Sequence, residues 1–328
     1  MTIDKKFINQ FVNVTSKAAL SSYFLVGKKD KIAADQAAVD SMRTELNKID
    51  MCGEIVIGEG ELDKAPMLYT GEKLGTMNGP NLDIAVDPLE GTNFVANNLP
   101  GALSVIAIAE KSNLFNAPET YMEKIAVGKV EKGVVDLDFN LKKNIENLAD
   151  YRNKDITSLT ACVLDRPRHK KIINELKELK VKLKLITDGD VSGALLVSNP
   201  KHNIDIFLGT GGGPEGVLAA SALDAFDCHF QGRFIFDNEN DITRAYKMGI
   251  VDLNKKYELN EIITGDSIFC ATGITSGDLV NGIKLSNNEY TSETLVTHKS
   301  SGIKEILKIT DILNQWYQSP VKNGRKKK

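Results

Sequence analysis

The clearest pattern in the chain is an alternation of apolar and acidic positions, Leu82-Asp83-Ile84-Ala85-Val86-Asp87, followed after a short break by the apolar run Ala102 to Ala109. Apolar residues at 82, 84 and 86 with acids at 83 and 87 predict a strand ending on a carboxylate, and Leu103 to Ala109 predicts a second strand. Between them stands Pro88-Leu89-Glu90-Gly91-Thr92. Proline lacks a backbone donor and glycine tolerates positive φ, so the strand should stop at Pro88 and the chain reverse. That turn would bring Glu90 back beside Asp87, with the Thr92 hydroxyl near both.

Earlier in the chain, apolar side chains fall all round residues 5 to 26 (Phe7, Ile8, Phe11, Val12, Val14, Leu20), which predicts a buried helix ended by Gly27. Ile32, Val39, Met42, Leu46 and Ile49 keep helical spacing over 30 to 49 and place Lys31 and Asp35 one turn apart on one face. Glu54 to Ile57 predicts a short strand. It runs into Gly58-Glu59-Gly60-Glu61-Leu62-Asp63, a turn with three acids in five residues. Residues up to 135 are less regular, and a polar helix over 141 to 153 closes the first half.

Beyond Asp155 strands and helices alternate: strands at 158–165, 182–186, 204–208 and 267–272, helices at 169–180, 191–198 and 215–225. Such alternation predicts a mainly parallel sheet covered by helices, with ligands at the carboxyl ends of its strands. Those ends carry Arg166-Pro167-Arg168-His169, Asp188-Gly189-Asp190 and Gly209 to Gly216. The stretch 275 to 300, rich in Ser, Thr and Asn, predicts short antiparallel strands and turns. The expected division is an α+β metal-binding sub-domain over 1–155, an α/β substrate-binding sub-domain over 156–320 and a basic tail over 321–328.

Composition narrows the chemistry. A chain of 328 residues with 42% hydrophobic residues can bury ordinary cores. No apolar run approaches a membrane span and the first residues lack a signal-peptide core, so the cytoplasm is expected. A net charge of −3 argues against a nucleic-acid or membrane partner, and the basic Lys322 to Lys328 reads as a solvated end. Four cysteines and four histidines are scattered without ligand spacing, so any metal must be held mainly by oxygen.

Asp87 and Glu90 sharing a pocket would repel unless a hard cation such as Mg²⁺ or Mn²⁺ lay between them. Arg166 and Arg168 offer planar donors to a phosphate. Asp188 and Asp190 could accept from sugar hydroxyls, or Asp190 could cap the following helix. Gly211, Gly213 and Gly216 satisfy G-x-G-x-x-G, but Glu215 at the helix start would repel a pyrophosphate. The expected role is therefore that the free N–H groups receive a single phosphate while Glu215 faces a metal. Together these point to metal-assisted hydrolysis of a sugar phosphate.

Three motifs, Gly58-Glu59-Gly60-Glu61-Leu62-Asp63-Lys64-Ala65-Pro66-Met67-Leu68-Tyr69, Asp87-Pro88-Leu89-Glu90-Gly91-Thr92 and Gly211-Gly212-Gly213-Pro214-Glu215-Gly216, resemble those of class II fructose-1,6-bisphosphatases, within the lithium-sensitive, metal-dependent phosphatases. The likeness runs from Lys17 to about Thr297. Glu90 where most of that superfamily has Asp, and the lack of a Trp-Asp pair, set the chain apart from inositol phosphatases.

The resemblance implies the layered αβαβα sugar-phosphatase fold, an α+β half against an α/β half, in a homo-oligomer, dimer or tetramer. It implies two or more Mn²⁺ or Mg²⁺ ions at Asp35, Glu59, Asp87, Glu90 and Glu215 with the Leu89 carbonyl. Thr92 would activate water, with Lys31 and Asp63 around the reacting phosphate. Substrate contacts would come from Glu90, Gly91, Thr92, Tyr121, Arg166, Pro167, Arg168, Asp188, Gly189, Asp190 and Gly212. The implied reaction is hydrolysis of fructose 1,6-bisphosphate to fructose 6-phosphate, as in gluconeogenesis. Sedoheptulose 1,7-bisphosphatase activity is the nearest alternative, and a nucleotide- or metal-binding regulatory protein the non-enzymatic one.

Overall fold

The computed structural model describes residues 3–58 and 68–313. Glu59, Glu61 and Asp63 of the acidic turn, Trp316 and the basic tail lie outside the described residues. In chain order the first half holds α1 (Ile8–Tyr23), α2 (Lys31–Leu46), β1 (Cys52–Ile57), β2 (Lys73–Leu74), β3 (Asn81–Glu90), α3 (Thr92–Asn97), β4 (Leu103–Glu110), β5 (Tyr121–Val127) and α4 (Leu141–Arg152). There follow β6 (Thr160–Leu164), α5 (Lys170–Glu178), β7 (Lys182–Ile186), α6 (Asp190–Leu195), β8 (Ile206–Gly212), α7 (Gly213–Ala225), β9 (His229–Ile235), α8 (Glu239–Lys247), β10 (Lys256–Glu258) and α9 (Leu259–Ile262). Last come β11 (Ser267–Gly273), β12 (Lys284–Ser286), β13 (Glu289–His298) and β14 (Ile303–Ile312).

Two sheets form. The first runs β12-β13-β11-β4-β3-β1-β2, with β14 added on β13, and the second runs β10-β9-β5-β8-β6-β7. Strand periodicity decides which residues each layer buries. On the first sheet, Ile84, Val86, Ile106, Ile108, Ile268 and Cys270 point to α1 and α2, while Ala85, Val105, Ala107, Phe269 and Ala271 point the other way. That second face packs on α7 and α6, which also meet Met122, Ala126, Cys162, Phe207 and Phe230 of the second sheet. The far face of the second sheet, Ile125, Val127, Ala161, Val163 and Ile206, packs on α4 and α5. The order is therefore helix, sheet, helix, sheet, helix, the layering expected above. Helix α7, buried almost all round, is apolar on every side because both of its neighbours are sheets.

Several local expectations need correction. Strand β3 does not stop at Pro88 but continues to Glu90, because the register against β4 shifts by one residue, from Asp87↔Val105 to Glu90↔Leu103. A bulge leaves one residue unpaired, so a proline without an N–H costs the ladder little there. The second sheet is mixed rather than mainly parallel: β6 pairs β7 and β8 in parallel, but β5 is antiparallel to both β8 and β9. The sheets also do not part at residue 155. Strand β5 crosses early into the second sheet, and β11 to β14 return to the first. Each half is completed by chain from the other side of the expected boundary, since strand partners are chosen by long-range packing rather than by order in the sequence.

Polar groups also join the first two layers. The Ser16 hydroxyl of α1 meets Tyr290 Oη at 3.2 Å and Ser292 Oγ at 2.8 Å, and Thr272 Oγ1 donates to Thr15 Oγ1 at 2.7 Å. Each of these buried hydroxyls thereby keeps a partner.

Candidate active site

The bulge at Pro88 and the left-handed Gly91, φ 84°, carry Glu90 into the interior between the two sheets, where it is 4% exposed. One of its oxygens, Oε1, accepts from the backbone N–H groups of Val191 at 2.7 Å and Ser192 at 3.2 Å. Glu90 thus caps α6 from the other sheet, its negative charge facing the positive end of that helix. Asp190 is the first residue of α6 and its side chain does not cap it, so the capping alternative for Asp190 is overturned; Gly189, φ 85°, stands at that position.

Asp87, Leu89, Gly91, Thr92 and Glu215 line a cavity of about 600 Å³ between the sheets, with Gly58, Tyr121, Asp188 and Gly212 also on its wall. A smaller cavity of about 200 Å³ shares Asp87, Glu215 and Gly212 with it and is lined further by Glu90, Arg166, Arg168, Gly189 and Asp190. Thr92, the first residue of α3, is partly buried on the larger cavity. Residues more than 100 positions apart in the sequence therefore meet on one space.

The acids crowd one another. Burial pushes the Asp87 carboxyl well above its ordinary value, and the charges of Glu215 and Asp35 push it further, against an opposing hydrogen bond from the Leu89 N–H. Burial and then Asp87 do the same to Glu90, while burial raises Glu215 against the pull of Lys124. The second oxygen of Glu90, Oε2, is buried without a partner among the described residues. Such a set holds its charge only when a cation joins it. No three His, Cys, Asp or Glu side chains among the described residues already form a cage, and Glu59 lies outside those residues. The donors are all oxygen, which suits a hard divalent ion rather than zinc.

Other expected residues fall as follows. Asp35, partly buried on α2, is near enough to raise Asp87, whereas Lys31 at the start of the same helix is exposed and lines neither cavity. Arg166 lies 3.5 Å from Asp188, so Asp188 faces a guanidinium as well as the cavity. Arg168 donates from Nε to the Thr210 carbonyl at 2.7 Å and holds its guanidinium 4.9 Å from the centre of the Tyr121 ring. Pro167 is exposed and lines neither cavity; its ring starts the short turn that separates the two arginines.

Part of the glycine run is strand. Gly211 and Gly212 belong to β8 and pair with Met122 and Tyr121, and the Gly213 N–H donates to the Thr120 carbonyl at 2.8 Å. The glycines make room for carboxylates. A Cβ on Gly211 would lie 2.2 Å from Asp190 Oδ2, and one on Gly212 would lie 1.9 Å from Glu215 Oε2. Sequence reasoning also missed Lys124, which is 2% exposed and whose Nζ donates to Asp190 Oδ2. Its signal was present: Met122, Lys124 and Ala126 alternate on one strand face, so the lysine had to point into a core.

Because Arg166 and Arg168 are already held in place, replacing either with Ala should raise KM ~10- to 100-fold, the value of one charge-assisted hydrogen bond, with a smaller loss in kcat. Steady-state kinetics at saturating metal check this, and unchanged KM in both variants would place the anion elsewhere.

The loop carrying these arginines is tied down by His169, which is fully buried. Its Nδ1 is 2.8 Å from the Leu164 carbonyl and must donate, and its Nε2, 2.8 Å from the Thr210 N–H, must accept. Only the neutral ring does both. Burial, helped by Arg168, lowers its pKa from 6.5. The unfolded chain therefore takes up a proton that the folded one refuses, and stability should fall as pH drops below about 6.5. His202 and His229 are shifted the same way. His169→Gln should make the loss of Tm between pH 6.5 and 5 shallower than in the unchanged protein; an identical slope would show that this ring carries none of it.

Buried carboxylates that call for a cation, beside arginines fixed for an anion and between two sheets, define a metal-dependent phosphatase. A family model described as bacterial fructose-1,6-bisphosphatase, glpX-encoded, matches residues 5–310, and the chain belongs to that family. It is 42% identical over 315 residues to fructose-1,6-bisphosphatase 1 class 2 of Escherichia coli (strain K12), covering 92% of this chain and 94% of that protein. It is 41% identical over 308 residues to D-fructose 1,6-bisphosphatase class 2/sedoheptulose 1,7-bisphosphatase of Prochlorococcus marinus (strain MIT 9515), covering 90% and 92%. The solved inositol monophosphatase from Anabaena (Nostoc) sp. PCC 7120 covers 59% of this chain and 69% of its own at 15% identity and a TM-score of 0.27, too slight a likeness to bear on the fold. No described helix is long and apolar enough to cross a membrane.

Proposed function

We propose that this protein hydrolyses the 1-phosphate of fructose 1,6-bisphosphate, releasing fructose 6-phosphate and phosphate. The observation that carries the reading is the meeting of Asp87, Glu90 and Glu215 with Arg166 and Arg168 around joined cavities, one set suited to cations and the other to an anion. Asp35, Glu59, Asp87, Glu90, Glu215 and the Leu89 carbonyl would hold Mg²⁺ or Mn²⁺, which supplies electrostatic stabilisation to the attacking and leaving oxygens.

The chain's own groups do the rest. Thr92 Oγ1 holds and orients the attacking water, whose oxygen bonds to phosphorus as the bond to the sugar O1 breaks; a proton given up by the water ends on O1, so the sugar leaves as its alcohol. Asp63, and Lys31 although its side chain lines neither described cavity, would flank that phosphate. Arg166, Arg168 and Tyr121 grip the phosphate that is not cleaved, with Pro167 setting their spacing, and its binding energy orients the reacting end. Asp188 and Asp190 accept from the sugar hydroxyls, while Gly91, Gly189 and Gly212 let the backbone approach.

The double name of the Prochlorococcus relative favours a second activity on sedoheptulose 1,7-bisphosphate, which is one carbon longer. Phosphate release measured across five- to seven-carbon sugar bisphosphates, with each metal in turn, tests both readings. No phosphate release from the six-carbon sugar would overturn the first, and none from the seven-carbon sugar the second.

A further inference from the structure

Lys124 sits mid-strand in β5 on the inward face, between Met122 and Ala126, and its side chain is 1% exposed. An ammonium is not kept in such a place without compensation. It donates to Asp190 Oδ2 and, at 2.6 Å, to the Gly212 carbonyl. Backbone space is set aside for the aspartate: a Cβ on Gly211 would strike Asp190 Oδ2.

The two oxygens of Asp190 are treated differently. Oδ2 is taken by Lys124, whereas Oδ1 is buried with no partner among the described residues, and Asp190 lines the smaller cavity beside Arg166 and Arg168. A buried carboxylate oxygen without a donor is an acceptor waiting for one. Glu90, which caps α6, likewise has Oε2 without a partner among the described residues.

We propose that Lys124 is a positioning residue for substrate selection: it neutralises Asp190, pins its Oδ2, and so presents Oδ1 to a hydroxyl of the sugar chain. This rests on reading Asp190 as a sugar contact. Lys124 does not touch the reacting phosphate in this scheme, so its loss falls on recognition of the polyol more than on bond breaking.

The test compares Lys124→Met, Asp190→Asn and the double variant in the full-length, metal-saturated protein. Turnover is measured on fructose 1,6-bisphosphate and on p-nitrophenyl phosphate, which has no sugar hydroxyls. Lys124→Met should raise KM for the sugar bisphosphate at least 10-fold, with kcat falling less. Its loss in kcat/KM on the sugar should exceed that on p-nitrophenyl phosphate at least 10-fold, and the double variant should lose little more than either single one. Where Lys124→Met folds poorly, Lys124→Gln, which removes the charge but keeps a donor on a shorter side chain, carries the same comparison.

Equal losses on both substrates would make Lys124 a purely structural ion-pair partner and overturn the proposal. So would a sugar-specific loss in Asp190→Asn that Lys124→Met lacks, which leaves the reading of Asp190 intact. If Asp190→Asn kept its KM for the sugar, the reading of Asp190 itself would fall, and this proposal with it.

Discussion

Stripping the protein with a chelator should abolish turnover, and adding back Mg²⁺ or Mn²⁺ should restore it, while thiol-blocking reagents should leave it intact. The acids of the site are the reason. Asp87, Glu90 and Glu215 are all held above their ordinary pKa, chiefly by burial, with mutual repulsion adding to it. Without a cation they must either stay protonated or repel one another, and neither state positions water and phosphate.

The same argument fixes the sign of a stability effect. Carboxylates whose folded pKa is raised contribute most below their unfolded values, near 3.8 for Asp and 4.5 for Glu, and lose that contribution as pH rises through the folded values. The metal-free protein should therefore be penalised by this cluster at neutral pH, and a cation should reverse it. At 100 times its Kd, a ligand that binds only the folded state adds ~2.7 kcal/mol. A higher Tm with Mg²⁺ or Mn²⁺ than in chelator, at pH 7.5, is the readout.

Cysteines give no competing route. Burial pushes the Cys162 and Cys228 thiols up to about 12, and Cys270 is raised as well. A thiolate nucleophile is out of reach there, and Cys52 lines neither cavity. Full activity in excess chelator would end the metal-dependent reading.

Thr92→Val should lower kcat ~10²-fold or more at saturating metal and substrate, the scale of one lost proton-transfer or orienting contact. Thr92 begins α3 directly after the left-handed Gly91 and faces the larger cavity beside Asp87 and Leu89. Valine keeps the β-branched shape, so packing and Tm should change little, but it cannot hold a water. Thr92→Ser keeps the hydroxyl and should retain part of the rate. Equal activity of the two variants would reduce Thr92 to a helix-start residue. Glu90→Gln makes a useful contrast: it can still accept from the α6 amides but loses its charge, so the metal concentration for half-activation should rise.

What the chain alone determined was whatever depends on near neighbours. The alternation at 82–87 fixed a strand and the direction of its faces. The all-round apolar pattern of residues 5 to 26 fixed a buried helix, and Glu215 at the start of an apolar helix fixed a carboxylate at the edge of a core. These follow from the 2.0 and 3.6 periods, which are local. Tertiary structure decided the rest, because pairing and charge compensation bring together residues far apart in sequence. Nothing near Pro88 announces that β4 will accept a bulge and let the strand continue. Nor does the order of strands reveal that β5 leaves the first half or that β11 to β14 return to it. Glu90 finds its amides 101 positions away, and Lys124 finds Asp190 66 positions away. A buried charge must be matched by whatever the fold brings within a few ångströms, so the carboxylates could be read from the sequence, but their partners only from the packed layers.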